Sequence, residues 1–266
     1  MFMKKTEDEN IKNVNEKSIR IILGIDASTT CMGTSVVSYD TISGEVKVLY
    51  VHYVKFKNTK KYKGTDSLFY KSKQFKDSFI NKVKDWGITD IVIEEPLPGS
   101  QNLMSVNTLM KFNGMISQSL YEAFDVIPKY ISSYDARKFA FPDLLAIRKY
   151  NKQDEMYDVS KYKKALKNND LVLFGEYPFS CKKKFILWNK ISEMYPDIKW
   201  SYDKENELAG ENFDASDSLV CVLGYINKEK YKDDEYKIIN YNIDKCFIDY
   251  EFSFCNMNIS KRLNLC

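Results

Sequence analysis

Histidine is almost absent, with His52 standing alone among 266 residues. A His-rich metal site is therefore excluded, and any chemistry falls to carboxylates. The six cysteines, at 31, 181, 221, 246, 255 and 266, form no Cys-x-x-Cys pair, which excludes a zinc ribbon. The N-terminal stretch MFMKKTEDENIKNVNEKS has no apolar core and does not read as an export signal. Those cysteines accordingly read as reduced thiols of a cytosol-like compartment. Glycine is scarce at 10 residues, with no Gly-Gly and no Gly-x-Gly. That argues against the several glycine-rich turns by which ATPases cradle phosphate. No apolar run approaches the ~18 residues of a membrane helix. Charge of one sign is lacking too: 40 Lys+Arg against 37 Asp+Glu leave +3, which in bulk hardly favours a nucleic-acid partner.

What is present is an ordinary globular composition, 44% hydrophobic and 14% aromatic, so an ordered domain is the expectation. At ~150 residues per domain the chain makes one large domain, or one with an elaboration. Residues 1–18 read as a polar flexible leader. Strands are predicted at Ile19–Ile25, Cys31–Tyr39 and Val46–Phe56, with a hairpin turn around Thr41–Gly44. A stripe of Leu68, Phe69, Phe75, Phe79, Ile80 and Val83 predicts a helix over 67–86, and Ile88–Ile93 a buried strand. Leu109, Phe112, Ile116, Leu120 and Phe124 give a helix over 103–124, followed by a strand at Val126–Ser132. The order β-β-β-α-β-α-β indicates an α/β fold, a mixed sheet flanked by helices. Residues 145–180 have no clear period and read as an insertion or arm. Helices follow at Lys183–Tyr195 and Asp214–Asn227, and an alternating tail over 236–254 suggests a hairpin.

Three segments put acids where structure alone does not call for them. Asp26 follows a buried strand in Gly24-Ile25-Asp26-Ala27-Ser28, and Glu94 ends another in Ile91-Val92-Ile93-Glu94-Glu95-Pro96. Asp214 and Asp217 open an apolar helix three residues apart, on one face. Each has a structural reading: a turn cap, a solvated strand end, a helix N-cap. Together they read differently. If the strands 19–25 and 88–93 are parallel neighbours about 4.8 Å apart, Asp26 and Glu94 end side by side. An acidic helix face over that edge adds two more carboxylates, whose repulsion a divalent metal relieves. Oxygen-only ligands point to Mg²⁺ or Mn²⁺. Alternation sends Glu94 and Glu95 to opposite faces, so both cannot serve equally.

The string Gly24-Ile25-Asp26, then Ile93-Glu94, then Asp214-Ala215-Ser216-Asp217-Ser218-Leu219 resembles the acidic tetrad of RuvC-type Holliday junction resolvases, within the RNase H-like superfamily. The phage and viral members are nearer, with a helix carrying Leu109-Met110-Lys111-Phe112-Asn113-Gly114 and a segment like Ala136-Arg137-Lys138 after the fifth strand. The resemblance spans 19–140 and 182–227. It implies an RNase H-like domain over 19–228, three antiparallel strands then two parallel, interrupted by the 145–180 insertion and followed by a 229–266 extension. It further implies a magnesium-dependent nuclease working in the cytoplasm or infected-cell compartment that holds the DNA. Two metal ions, Mg²⁺ with Mn²⁺ as the substitute, would be shared by Asp26, Glu94, Asp214 and Asp217. Glu94 is preferred to Glu95 because it matches the family's position.

The partner implied is branched DNA, cut by a homodimer without membrane attachment, since two symmetric nicks need two sites related by a two-fold axis. DNA contact needs positive charge held away from the acidic centre, and Arg137, Lys138, Lys182, Lys183 and Lys184 are the candidates, with Lys60-Lys61-Tyr62-Lys63 beside them. Three rival readings stand. An actin-like or sugar-kinase ATPase shares the core, but the glycines and the length for two lobes are missing. A dead RNase H-like binding module is disfavoured by four occupied acidic positions. A nuclease of this scaffold acting on another branched or hybrid nucleic acid stays open, because fold does not fix substrate.

Overall fold

The computed structural model describes residues 18–96, 103–141, 145–147, 171–173 and 183–230. Its central strand is β1 (Ile19–Ala27), whose β-branched run suits burial on both faces. β1 pairs antiparallel with β2 (Cys31–Asp40), and β2 antiparallel with β3 (Val46–Lys55). On its other side β1 pairs parallel with β4 (Asp90–Glu94), and β4 parallel with β5 (Lys129–Ile131). The order β3-β2-β1-β4-β5, antiparallel on one side of β1 and parallel on the other, is the mixed sheet expected from the sequence. Around it pack α1 (Gly64–Phe75), α2 (Leu103–Phe124), α3 (Ser133–Ala140), α4 (Lys183–Met194) and α5 (Glu211–Lys230). Two short strands, β6 (Leu145–Ile147) and β7 (Leu171–Leu173), pair antiparallel within the region read as an insertion. Residues 1–17 of the leader, the stretch between β6 and β7, and 231–266 with the tail hairpin lie outside the described residues. No described helix is long and apolar enough to cross a membrane.

Strand alternation divides the core in two. Leu23, Ile25, Ile91 and Ile93 face a layer built from α1 and α2, with Phe75, Phe79, Phe112, Ile116 and Leu120. Ile22 and Val92 face the opposite layer, with Leu187 and Ile191 of α4 and Leu219, Val222 and Ile226 of α5. One prediction needs correcting within the first layer. The helix expected over 67–86 starts at Gly64, widens into a π-helical turn at Lys76–Ile80 and closes with an α-turn at Asn81–Val83. The wide turn lets neighbours Phe79 and Ile80 both lie buried, with Phe79 stacked on Phe75 at 5.3 Å. Phe69, read as part of the stripe, is 61% exposed, because Leu68 takes the inward position.

α5 is held at both ends. Near its C-terminus Glu229 accepts from Arg20 at 2.8 Å, and Arg20 also grips Asp90 at 2.6 Å, tying the starts of β1 and β4 to the helix. Near its N-terminus the contact is backbone to backbone. A Cβ on Gly24 would collide with the Ser218 carbonyl, and one on Gly33 with the Asp214 carbonyl. Only glycine permits that approach. Gly33→Ala is therefore expected to cost about 1–3 kcal/mol, the usual range for overpacking, read as a lower urea midpoint. A midpoint equal to the wild type would contradict the seating of α5.

Candidate active site

Parity along the strands decides which acids can meet. Asp26 shares the face of Ile22 and Gly24, which is the α5 face, and Glu94 shares the face of Val92. The parallel register runs from Ile22 with Asp90 to Ile25 with Ile93, so Asp26 and Glu94 stand one step past the last pair, side by side. The acidic turn of α5 comes down on this edge, with the Asp214 backbone against Gly33, the antiparallel partner of Asp26. The sequence starts this helix at Asp214, with an N-cap as that residue's structural alternative. The helix in fact starts at Glu211, and Asp214 lies in its first turn, where a carboxylate still favours the dipole. Asp217 is the most buried of the four acids, at 4% exposure.

The four feel one another. Burial first, then the charges of Glu94, Asp217 and Asp214, hold the Asp26 carboxyl well above its ordinary range. Glu94 is pushed up to about 7, by burial and then by Asp217. Asp217 is raised as well, chiefly by burial, against the opposing pull of Arg137 and Lys184. Glu95 is exposed. It lines, with Asp26 and Glu94, a cleft of about 230 Å³ closed by Ser105, Val106 and Leu109 of α2.

Cations expected at a distance from the acids are found among them. Arg137 Nη2 lies 3.7 Å from Asp217 Oδ2. Lys184 Nζ lies 3.0 Å from Asp214 Oδ1 and 3.7 Å from Asp217 Oδ2. Helix packing is the cause. α3 docks on α5 through the buried Ala136 and an Asn227 side chain that donates to the Phe139 carbonyl at 2.9 Å. α4 docks through Leu187 and Ile191, three and seven residues after Lys184 and on its face. Burial lowers Lys184, yet Asp217 and Asp214 outweigh it and hold the ammonium above its ordinary range. Lys138 lies over the rings of Tyr134 and Phe139 at 5.7 and 5.4 Å. Lys182 and the side chain of Lys183 lie outside the described residues. Lys61 covers the ring of Tyr62 at 5.2 Å, and the run it belongs to precedes α1, whose Lys71 donates to the Thr29 carbonyl beside the Asp26 turn.

Two groups at the site went unread in the sequence. Asn113, buried in α2, reaches the Glu94 carbonyl at 3.5 Å and steadies that strand end. Cys221 points its thiol at Glu94 Oε2, 3.9 Å away. Its spacing from Asp214 and Asp217, seven and four residues, was the available signal. Burial, then the Glu94 charge, holds the Cys221 thiol far above its ordinary range. Burial, then Asp214, pushes Cys31 up to about 12. Both shifts favour the protonated thiol, and the four acids offer oxygens as donors. Among the described residues no three His, Cys, Asp or Glu side chains are closed around one point ready for an ion. The chemistry of the set still fits a hard divalent cation: desolvated oxygens, raised by mutual repulsion and short of positive charge.

No protein-family model and no curated protein matches the chain. Solved structures do resemble it. Thermus thermophilus RuvC is 11% identical over 80% of this chain and 96% of its own, with a TM-score of 0.48. The same organism's RuvC in complex with Holliday junction substrate is 10% identical, covering 79% and 95%, at 0.45. The Fowlpox virus resolvase in complex with substrate Holliday junction DNA is 13% identical, covering 79% and 98%, at 0.35. The likeness is one of fold.

The raised carboxyl has a consequence for stability. Glu94 ionises at its ordinary 4.5 in the unfolded chain and at about 7 in the folded one. Between those values the folded protein holds the extra proton, so its stability falls as pH rises and is lowest above the window. Glu94→Gln removes this term. In EDTA its Tm relative to the wild type should climb by a few degrees between about pH 5 and about pH 8. A constant difference across that range would contradict the buried, repelled state of Glu94.

Proposed function

We propose that this protein is a metal-dependent endonuclease of branched DNA, resolving four-way junctions by paired symmetric nicks. The observation that supports the reading is the convergence of four acids from β1, β4 and α5 at one sheet edge, with oxygens as the donors. In this reading Asp26 on the central strand would be the ligand shared by two ions. Glu94 and Asp217 are further ligands, and Asp214 is the fourth or positions the attacking water. Mg²⁺, or Mn²⁺ in its place, would supply Lewis acidity there for the activation of water and the departure of the 3′ oxygen. The chain's own part is to hold these oxygens rigidly on strand ends and a buried helix turn. Arg137 and Lys184 bring positive charge within reach of a scissile phosphate, and Glu95, on the other face, takes no part.

Symmetric nicking calls for two copies. The inward face of α2, with Phe112, Ile116 and Leu120, is spent on its own sheet. Its outward face exposes Leu103, Met104 and Met110, and this is the surface we assign to a homodimer.

Asp26→Asn is expected to lower cleavage by about a thousandfold or more while junction binding persists, whereas Glu95→Gln changes cleavage less than about threefold. The decisive assay compares a four-way junction, a linear duplex and an RNA–DNA hybrid in Mg²⁺. Symmetric nicks confined to the junction support the proposal. Cutting of the hybrid alone would replace the substrate, and equal damage from Asp26→Asn and Glu95→Gln would overturn the ligand assignment.

A further inference from the structure

Lys184 stands where a lysine is poorly placed. It lies in the first turn of α4, where the positive end of the helix dipole disfavours a cation, and it follows Lys182 and Lys183 in sequence. Leu187 and Ile191 on the same face are fully buried, so Lys184 extends from the side of α4 that faces α5. Its ammonium bridges Asp214 and Asp217 at 3.0 and 3.7 Å. Arg137 reaches the same Asp217 oxygen at 3.7 Å. Among the described residues the four acids thus share two cations, and a divalent ion that joins them competes with whichever is easier to move. The exposures identify it: the Lys184 side chain is 51% exposed, against 22% for Arg137.

We propose that Lys184 is the resident counter-ion of the metal-free centre, and that its ammonium and a divalent cation exclude each other between Asp214 and Asp217. The inference rests on the reading of these acids as metal ligands. It accounts for the two α5 carboxylates being closed on a lysine rather than on a common ion point. It also gives the displaced ammonium a use. A phosphodiester at the sheet edge attracts it and so favours loading of the ion, which by reciprocity tightens the hold on the phosphodiester. One flexible side chain thereby couples metal and substrate.

The test titrates Mn²⁺ into the full chain without DNA and follows free Mn²⁺ by its paramagnetic resonance. Lys184→Met should bind Mn²⁺ about tenfold tighter than the wild type, the scale of two partly exposed ion pairs no longer broken. It should also melt below the wild type in EDTA and gain more from Mn²⁺. Lys184→Arg keeps the charge and should bind no tighter than the wild type. Lys184→Gln, neutral and still able to donate to Asp214, takes the place of the methionine variant if that one does not fold. Equal or weaker Mn²⁺ binding by the neutral variant overturns the proposal and leaves the metal reading standing. No Mn²⁺ bound by any of these proteins overturns both.

Discussion

The direct seating of α5 on β1 and β2, backbone against backbone at Gly24 and Gly33, is the contact from which the candidate site follows. It brings the start of a helix, with two carboxylates in its first turns, onto a sheet edge that already carries two more. Such a gathering is costly, since burial and like charge both oppose ionisation. The opposing gain lies further along the same helix. Leu219, Val220, Val222, Leu223 and Ile226 are all buried, and each contributes about 1.5–3 kcal/mol as an upper estimate. The apolar length of α5 therefore outweighs the repulsion at its tip, and the helix holds the acids together instead of fraying.

The two ends of the β1–β4 pair make an instructive contrast. At the start of both strands Asp90 is gripped by Arg20, with Lys129 3.9 Å away, and its carboxyl sits below the ordinary range despite partial burial. At the other end, on the same strands and beneath the same helix, Asp26 and Glu94 sit well above it. The first arrangement is complete as it stands and needs nothing more. Among the described residues the second has Arg137 and Lys184 as its nearest cations, and its carboxyls stay raised beside them, which is why we propose a cation there.

Much of this was legible in the sequence, and the reasons are local. β-branched runs fix β1 and β4, three- and four-residue spacing fixes α2, and strand parity alone separates Glu94 from Glu95. The expectation that Asp26 and Glu94 end side by side follows once their two strands are taken as parallel neighbours, as the register pairs have them. What stayed hidden depends on tertiary packing. The π-helical turn reflects a demand by the core that Phe79 and Ile80 both be inside, which no regular period expresses. Arg137 and Lys184 were read as outlying DNA contacts because composition cannot say which helices dock against α5 or with what rotation. Asn113 lies within the Leu109–Gly114 motif, but its reach to Glu94 requires knowing that α2 packs against β4.

The spacing between Asp26 and Glu94 is set by counting rather than by side-chain choice. Four consecutive register pairs, Ile22 with Asp90 through Ile25 with Ile93, fix where each acid emerges. A single residue lost from either run would swing its acid through half a turn, away from α5 and into the aromatic layer beneath. Loops generally tolerate insertion and deletion, whereas a paired register with one buried face does not. The hydrogen-bond ladder between them is in effect a ruler, and the chemistry we assign to this edge is written in its graduations.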